Sequence, residues 1–216
     1  MLSPFGILNG SGYSVGTGLF GREVANLQLY TRYQVTTGCF SPLMETGPTN
    51  NRGFWSNPDE PNYDTELLAT WRLYSKIRMK LVPYIAELAK EAHENGTPIV
   101  RPLFLAYPDS PEAWEDWQTY LLGDDLLVSA IWQKDKTTHS LYLPDGEEWI
   151  DAWDPEVSYL GGQTIEVETP LYKIPVFIRE GSKIDLGDLE ALYQESLEKV
   201  ANIPDLVELE KAEGWR

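Results

Sequence analysis

Apolar positions recur along this chain in two rhythms, and the change from one to the other falls near Thr97. Before it, the longest periodic stretch runs through Leu67, Trp71, Tyr74, Ile77, Leu81, Ile85 and Leu88, the three-to-four spacing of an amphipathic helix. Asp64, Thr65 and Glu66 put negative charge at its start, where the helix dipole favours it, and Asn95-Gly96 is a stop signal. Pro83 inside this pattern predicts either a kink or two abutting helices. Upstream, Phe5 to Asn9 reads as a short strand running into a Gly-rich loop. Val24, Leu27 and Tyr30 share a helical face within Arg22 to Gln34, and Cys39 to Met44 reads as a second strand. A polar loop from Glu45 to Asn62, rich in Pro, Asn and Gly, joins that strand to the long helix.

After Thr97 the chain breaks into short apolar runs at Val100–Leu105, Leu126–Ile131, Ser140–Leu143, Trp149–Asp151, Thr164–Glu168 and Pro175–Ile178. Turn signals such as Pro144-Asp145-Gly146 and Gly161-Gly162 separate them, the pattern of an antiparallel sandwich. One or two helical turns are expected near Glu112–Tyr120. Leu189, Leu192, Tyr193 and Leu197 return to helical spacing, with Asp188 close to a cap position and a loose acidic tail beyond.

Composition narrows the chemistry. The 216 residues carry a formal net charge of −17, which argues against nucleic acid and against an anionic membrane surface. A neutral substrate such as a sugar is compatible with it. The 8 Trp and 12 Tyr could serve as sugar platforms, although core packing is the plainer reading. Cys39 is alone, so no internal disulfide forms and the compartment stays open. His93 and His139 lack ligand spacing for zinc. The glycines from Gly10 to Gly21 match neither a P-loop nor a dinucleotide fingerprint. No signal peptide is visible at Met1–Phe5, and no apolar run is long enough to span a bilayer.

Three motifs carry a more specific message: Gly96-Thr97-Pro98-Ile99-Val100-Arg101-Pro102-Leu103-Phe104, then Gly123 to Val128, then Leu171 to Gly181. In this order and spacing they resemble the end of the barrel and the proximal C-terminal β domain of glycoside hydrolase family 31, the retaining α-glucosidases and α-xylosidases. The resemblance implies an α/β plus all-β fold: the terminal quarter of a (β/α)8 barrel, then an antiparallel β-sandwich and a C-terminal helix. Residues 1–96 are then the last two βα units, 97–186 the sandwich and 187–216 an acidic helical tail. Phe5–Gly10 corresponds to barrel strand seven and Cys39–Met44 to strand eight.

By the same resemblance the activity is hydrolysis of an α-glycosidic bond through a covalent intermediate, without metal or organic cofactor, and the partner is an α-linked oligosaccharide or glycoside. Such chemistry needs two carboxyl groups about 5 Å apart. Both family aspartates lie on earlier strands, and neither motif is in this chain. The expectation is a C-terminal fragment, inactive alone, with a non-catalytic carbohydrate-binding or structural module as the alternative.

The resemblance also marks departures. At the end of strand eight, where many members carry Arg-x-His against the innermost sugar, Glu45 and Gly47 stand. The Ser-Asp-Ile-Gly-Gly stretch is replaced near Tyr13–Gly16. Glu45, Asn51, Arg52 and Trp55, with neighbouring Asn50, are therefore the candidate sugar contacts: a carboxylate and a guanidinium for hydroxyls, and an indole for stacking. Asp124 and Asp125 look like an acid/base pair but sit at a turn into a strand, so a structural role is expected. The same holds for Asp151 and Asp154 around Trp153, for Arg101 and Arg179, which should pair with nearby acids, and for His93 late in its helix.

Overall fold

The computed structural model describes residues 38–42, 65–131 and 135–201. The expected strand at Phe5–Gly10, the helix at Arg22–Gln34 and the tail beyond Ala201 lie outside them. Within them the fold is mostly antiparallel sheet with few helices, in three layers.

Helix α1 spans Thr65–Asn95 and buries Ala69, Leu73, Ile77, Leu81 and Leu88, spaced to form one stripe. It is one helix, not two. Pro83 removes the bond to the carbonyl four residues back, and that carbonyl belongs to Met79, which is 70% exposed and can bond water instead. Gly96, at φ 80°, ends the helix with its amide on the Ala92 carbonyl at 3.0 Å.

Strand β1 is Val100–Pro102, followed by helical turns α2 (Leu103–Ala106) and α3 (Pro111–Glu115). The remaining strands are β2 (Thr119–Leu122), β3 (Leu126–Ser129), β4 (Thr138–Leu143), β5 (Glu148–Asp151), β6 (Ser158–Leu160), β7 (Gln163–Glu168) and β8 (Val176–Arg179). Six form one sheet in the order β1-β2-β3-β8-β5-β6, and β4 and β7, which are not consecutive, pair as a separate two-stranded sheet. Every pairing is antiparallel. Helix α4 (Leu189–Ala201) closes the described chain.

The central strands are apolar at consecutive positions, as in Tyr120–Leu122, Leu126–Val128 and Val176–Ile178, because both faces of the sheet are covered. Tyr120, Leu122, Leu126, Val128 and Val176 point into the core shared with α1 and α4. Their neighbours Leu121, Leu127 and Phe177 point the other way, joining Leu141, Leu143 and Trp149 under the two-stranded β4–β7 sheet. Trp149 and Trp153 are core residues, each with its indole N–H on a carbonyl, of Pro144 (3.2 Å) and Ile174 (2.8 Å).

Three expectations are corrected. The strand at Val100–Leu105 stops at Pro102, which cannot donate to a ladder and is tolerated because β1 is an edge strand; the chain then coils and buries Leu103. The helix near Glu112–Tyr120 ends at Glu115, and Thr119–Tyr120 belong to β2. Asp116 makes the break: its carboxylate accepts from the Gln118 and Thr119 amides at 3.1 Å. The strand at Cys39–Met44 is no strand in its described part, since Gly38 and Cys39 are helical and Phe40 turns. Strand β6, only three residues long, is not among the expected strands; its Tyr159 meets Phe177 edge-on at 5.9 Å.

Helix α4 begins where Asp188 Oδ1 accepts the Ala191 amide at 2.8 Å, a cap as expected. It packs along α1 through Leu189, Tyr193 and Val200. Tyr193 stacks on Tyr172 at 3.7 Å, and Lys76 reaches Glu195 at 2.7 Å. Among the described residues no helix is long and apolar enough to cross a membrane.

Candidate functional site

Glu45, Asn50, Asn51, Arg52 and Trp55 lie outside the described residues. The segment that leads to them, Gly38–Pro42, is described, and its backbone is held at five successive carbonyls. The Ser41 hydroxyl donates to Gly38 O at 2.8 Å, and the Tyr120 hydroxyl donates to Phe40 O at 3.1 Å. The Arg78 guanidinium takes the other three: Cys39 O at 2.9 Å, Pro42 O at 2.8 Å, and Ser41 O. These donors replace a strand ladder, which explains why the segment turns. Leaving one such buried carbonyl unpaired would cost about 1–3 kcal/mol.

The donors come from two layers. Arg78 projects from α1 and Tyr120 from β2, so the segment is tied to helix and sheet at once. Phe40, fully buried, meets the Tyr74 ring edge-on at 6.2 Å. The Cys39 thiol donates to Tyr74 O at 3.2 Å, and burial pushes its pKa far up, which leaves it an inert thiol. Burial lowers the Arg78 pKa from its ordinary value, with the neighbouring Cys39 acting against it. Arginine keeps its proton under such a shift, so the clamp stays cationic.

The two conspicuous aspartates have structural work. Asp124 pairs with Arg101, whose Nε donates to Pro98 O at 2.8 Å and whose other arm lies 3.8 Å from Glu91 on α1. Arg179 on β8 donates to Asp124 O at 3.0 Å and approaches Asp125 (3.7 Å) and Glu147 (3.3 Å). Both arginines border a cleft of about 540 Å³ that also takes in Thr97, Tyr107 and Glu147. Burial pushes the Tyr107 hydroxyl up to about 12. Carboxylates matched this way to guanidinium groups hold the helix and the sheet edge together and carry no free acid/base partner. Asp151 accepts the Trp153 amide at 2.8 Å, and burial raises its pKa from the ordinary carboxylate value. His93 lies in the last turn of α1.

A buried relay went unnoticed in the sequence. His139 Nε2 meets Ser129 Oγ at 2.8 Å, Ser129 Oγ meets Thr119 Oγ1 at 2.8 Å, and Thr119 Oγ1 donates to Asp116 Oδ2 at 2.7 Å. The residue types are those of a nucleophile and its base, but Ser129 and Thr119 are wholly buried between β2 and β3. A hydroxyl that no substrate can reach is a strut, and this one joins β4 of the two-stranded sheet to β3 of the six-stranded one. No spacing signal announces it. Among the described residues no group of three or more His, Cys, Asp or Glu could hold a metal ion.

Comparison with known proteins adds the following. Residues 96–184 match the glycosyl hydrolase family 31 C-terminal domain. The sulfoquinovosidase of Agrobacterium fabrum is 36% identical over 166 residues, which are 77% of this chain and 24% of that protein. Alpha-glucosidase 2 of Bacillus thermoamyloliquefaciens is 37% identical over 166 residues, 76% of this chain and 20% of its own. Among solved structures, a Flavobacterium johnsoniae family 31 dextranase complexed with isomaltotriose aligns with a TM-score of 0.65 at 34% identity, over 76% of this chain and 19% of the dextranase. A soil-metagenome α-xylosidase complexed with xylose gives 0.63 at 28%, over 78% and 26%. The chain thus spans no more than about a quarter of the length of these relatives.

Proposed function

The chain is related to the family 31 glycosidases over the portion that carries their C-terminal domain, and on that premise we propose that it forms the closing part of a retaining α-glycosidase. In this reading residues 1–96 contribute the last barrel units, 97–186 the proximal sandwich and 187–216 a helical tail. The Glu45–Trp55 loop forms one wall of the sugar site, with Glu45, Asn51 and Arg52 on hydroxyls and Trp55 under a ring. The nucleophile and the acid/base, about 5 Å apart in such enzymes, are supplied by residues other than those of this chain.

The observation that carries the reading is the Arg78–Tyr120 clamp on Gly38–Pro42. A loop that positions substrate groups must be held to fractions of an ångström, and a root fixed from two layers does that. A second feature supports the barrel context. Met79, Val82, Pro83 and Ala86 form an exposed apolar stripe on α1, spaced on the face opposite its buried Leu73, Ile77 and Leu81. Such a stripe is what a helix needs to pack against a further element.

Hydrolysis of aryl α-glucoside and α-xyloside by the 216-residue chain, beside the same chain joined to a family 31 barrel segment upstream, tests the reading. Activity confined to the longer polypeptide is expected. Activity of the chain alone would place a catalytic pair among its own residues and overturn it.

A further inference from the structure

Of the tryptophans on the described strands and helices, one is turned to water. Leu103 and Ala113 are buried, so α2 and α3 must present the residues that follow each of them outward. Phe104 is 36% exposed and Trp114 60%. The two rings stack at 4.8 Å with 22° between their planes. The Trp114 indole N–H donates to Pro108 O at 2.9 Å, which fixes the ring by its edge as well as by one face. The other face is left open and flat.

The charged side chains of the segment that carries the pair are all acidic. Asp109, Glu112 and Glu115 are exposed beside the pair, and no Lys or Arg occurs between Arg101 and Lys134. Ser110 caps α3 through the Ala113 amide and donates to the Glu112 carboxylate at 3.0 Å, so the acidic rim is part of a defined turn.

We propose that the Phe104–Trp114 pair is a surface binding platform for a neutral pyranose, one unit of an α-linked oligosaccharide, separate from the Glu45–Trp55 loop. A pyranose offers an apolar C–H face of the size of an indole and hydroxyls that donate at its rim, and both needs are met here. An anionic ligand is repelled by the rim. A bound cation is normally enclosed by several rings set at angles, whereas the second ring here lies parallel behind the first and leaves a single face. The pyranose follows from the platform; the α-linkage rests on the family 31 reading above.

The test follows the Trp114 indole N–H resonance of the full 216-residue chain, assigned by its loss in Trp114→Phe, during titration with isomaltotriose and with cellotriose. A saturable shift with isomaltotriose, and at least a tenfold loss of affinity in Trp114→Ala at unchanged melting temperature, is the expected result. Should Trp114→Ala fail to fold, Phe104→Leu, which removes the backing ring and keeps the indole, is expected to weaken binding several-fold. Binding of cellotriose alone keeps the platform and removes the α-linked class, whatever the longer polypeptide hydrolyses. Absence of any shift with either sugar overturns the proposal. So does a shift with tetramethylammonium instead of sugar, or a self-association that Trp114→Ala abolishes.

Discussion

Tyr84 sits astride Gly123: its hydroxyl donates to the Leu122 carbonyl at 3.0 Å and accepts from the Asp125 amide at 3.2 Å. The glycine between them has φ 65°, and a Cβ placed there would overlap the Tyr84 hydroxyl and come within 2.8 Å of Leu88. The β2–β3 turn therefore needs Gly123 twice, for its backbone and for the space that lets α1 close on the sheet.

Gly123→Ala is expected to cost about 2–4 kcal/mol, from the left-handed backbone and the overpacked ring together. Urea unfolding would read this as a lowered midpoint at constant m-value. Tyr84→Phe should cost about 1–2 kcal/mol, because a carbonyl and an amide each lose a partner. Without the hydroxyl, Gly123→Ala should cost less than it does beside Tyr84, and purely additive losses would show that the contact is not the cause.

The single cysteine reports on the root of the candidate loop. Cys39 lies under Arg78, with its thiol on Tyr74 O, and reagents reach it only when Gly38–Pro42 opens. Removing the guanidinium leaves three carbonyls without their charged donor. At about 1.5–3 kcal/mol for a charge-assisted bond, Arg78→Ala should raise the rate of Cys39 modification by a disulfide reagent about tenfold or more. Arg78→Lys, one donor group in place of a fork, should fall between. Equal rates in all three proteins would mean that the clamp does not hold the segment.

How far the sequence disclosed this architecture depended on whether a signal was local. The stripe from Leu73 to Leu88 and the Asn95-Gly96 stop declared α1 because helix periodicity is local. So did the Asp188 cap and the apolar face of α4. The central strands were legible for another reason, since coverage of both sheet faces makes Leu126–Val128 and Val176–Ile178 continuous apolar runs. The helical turn expected near Glu112–Tyr120 is present but short, because the Asp116 side chain caps the Gln118 and Thr119 amides. The chain then goes straight into β2, which no apolar run before Leu121 announces. The Arg78 and Tyr120 clamp spans 36–80 residues of sequence between donor and acceptor, and no pattern along the chain could show it. The structural roles of Arg101, Arg179, Asp124 and Asp125 were expected and are seen as ion pairs. The candidate sugar contacts Glu45, Asn51, Arg52 and Trp55 rest on the sequence alone.

Asp151 makes a pH prediction with a definite sign. It is buried at the end of β5, and burial raises its pKa above the ordinary carboxylate value against the pull of the Trp153 amide and of Lys173. A raised native pKa means that the folded chain holds this proton more tightly than the unfolded one. The group's contribution is therefore most favourable below its unfolded pKa and is lost as pH rises through the folded value. Above that window the ionised carboxylate weighs against the native state. Asp151→Asn keeps an oxygen for the Trp153 amide and removes the charge. Its melting temperature should exceed that of the native chain at pH 7, and the gain should shrink as pH falls through the raised pKa until the two proteins melt together. A variant less stable at pH 7 would show that attraction to Lys173 outweighs the burial of the charge.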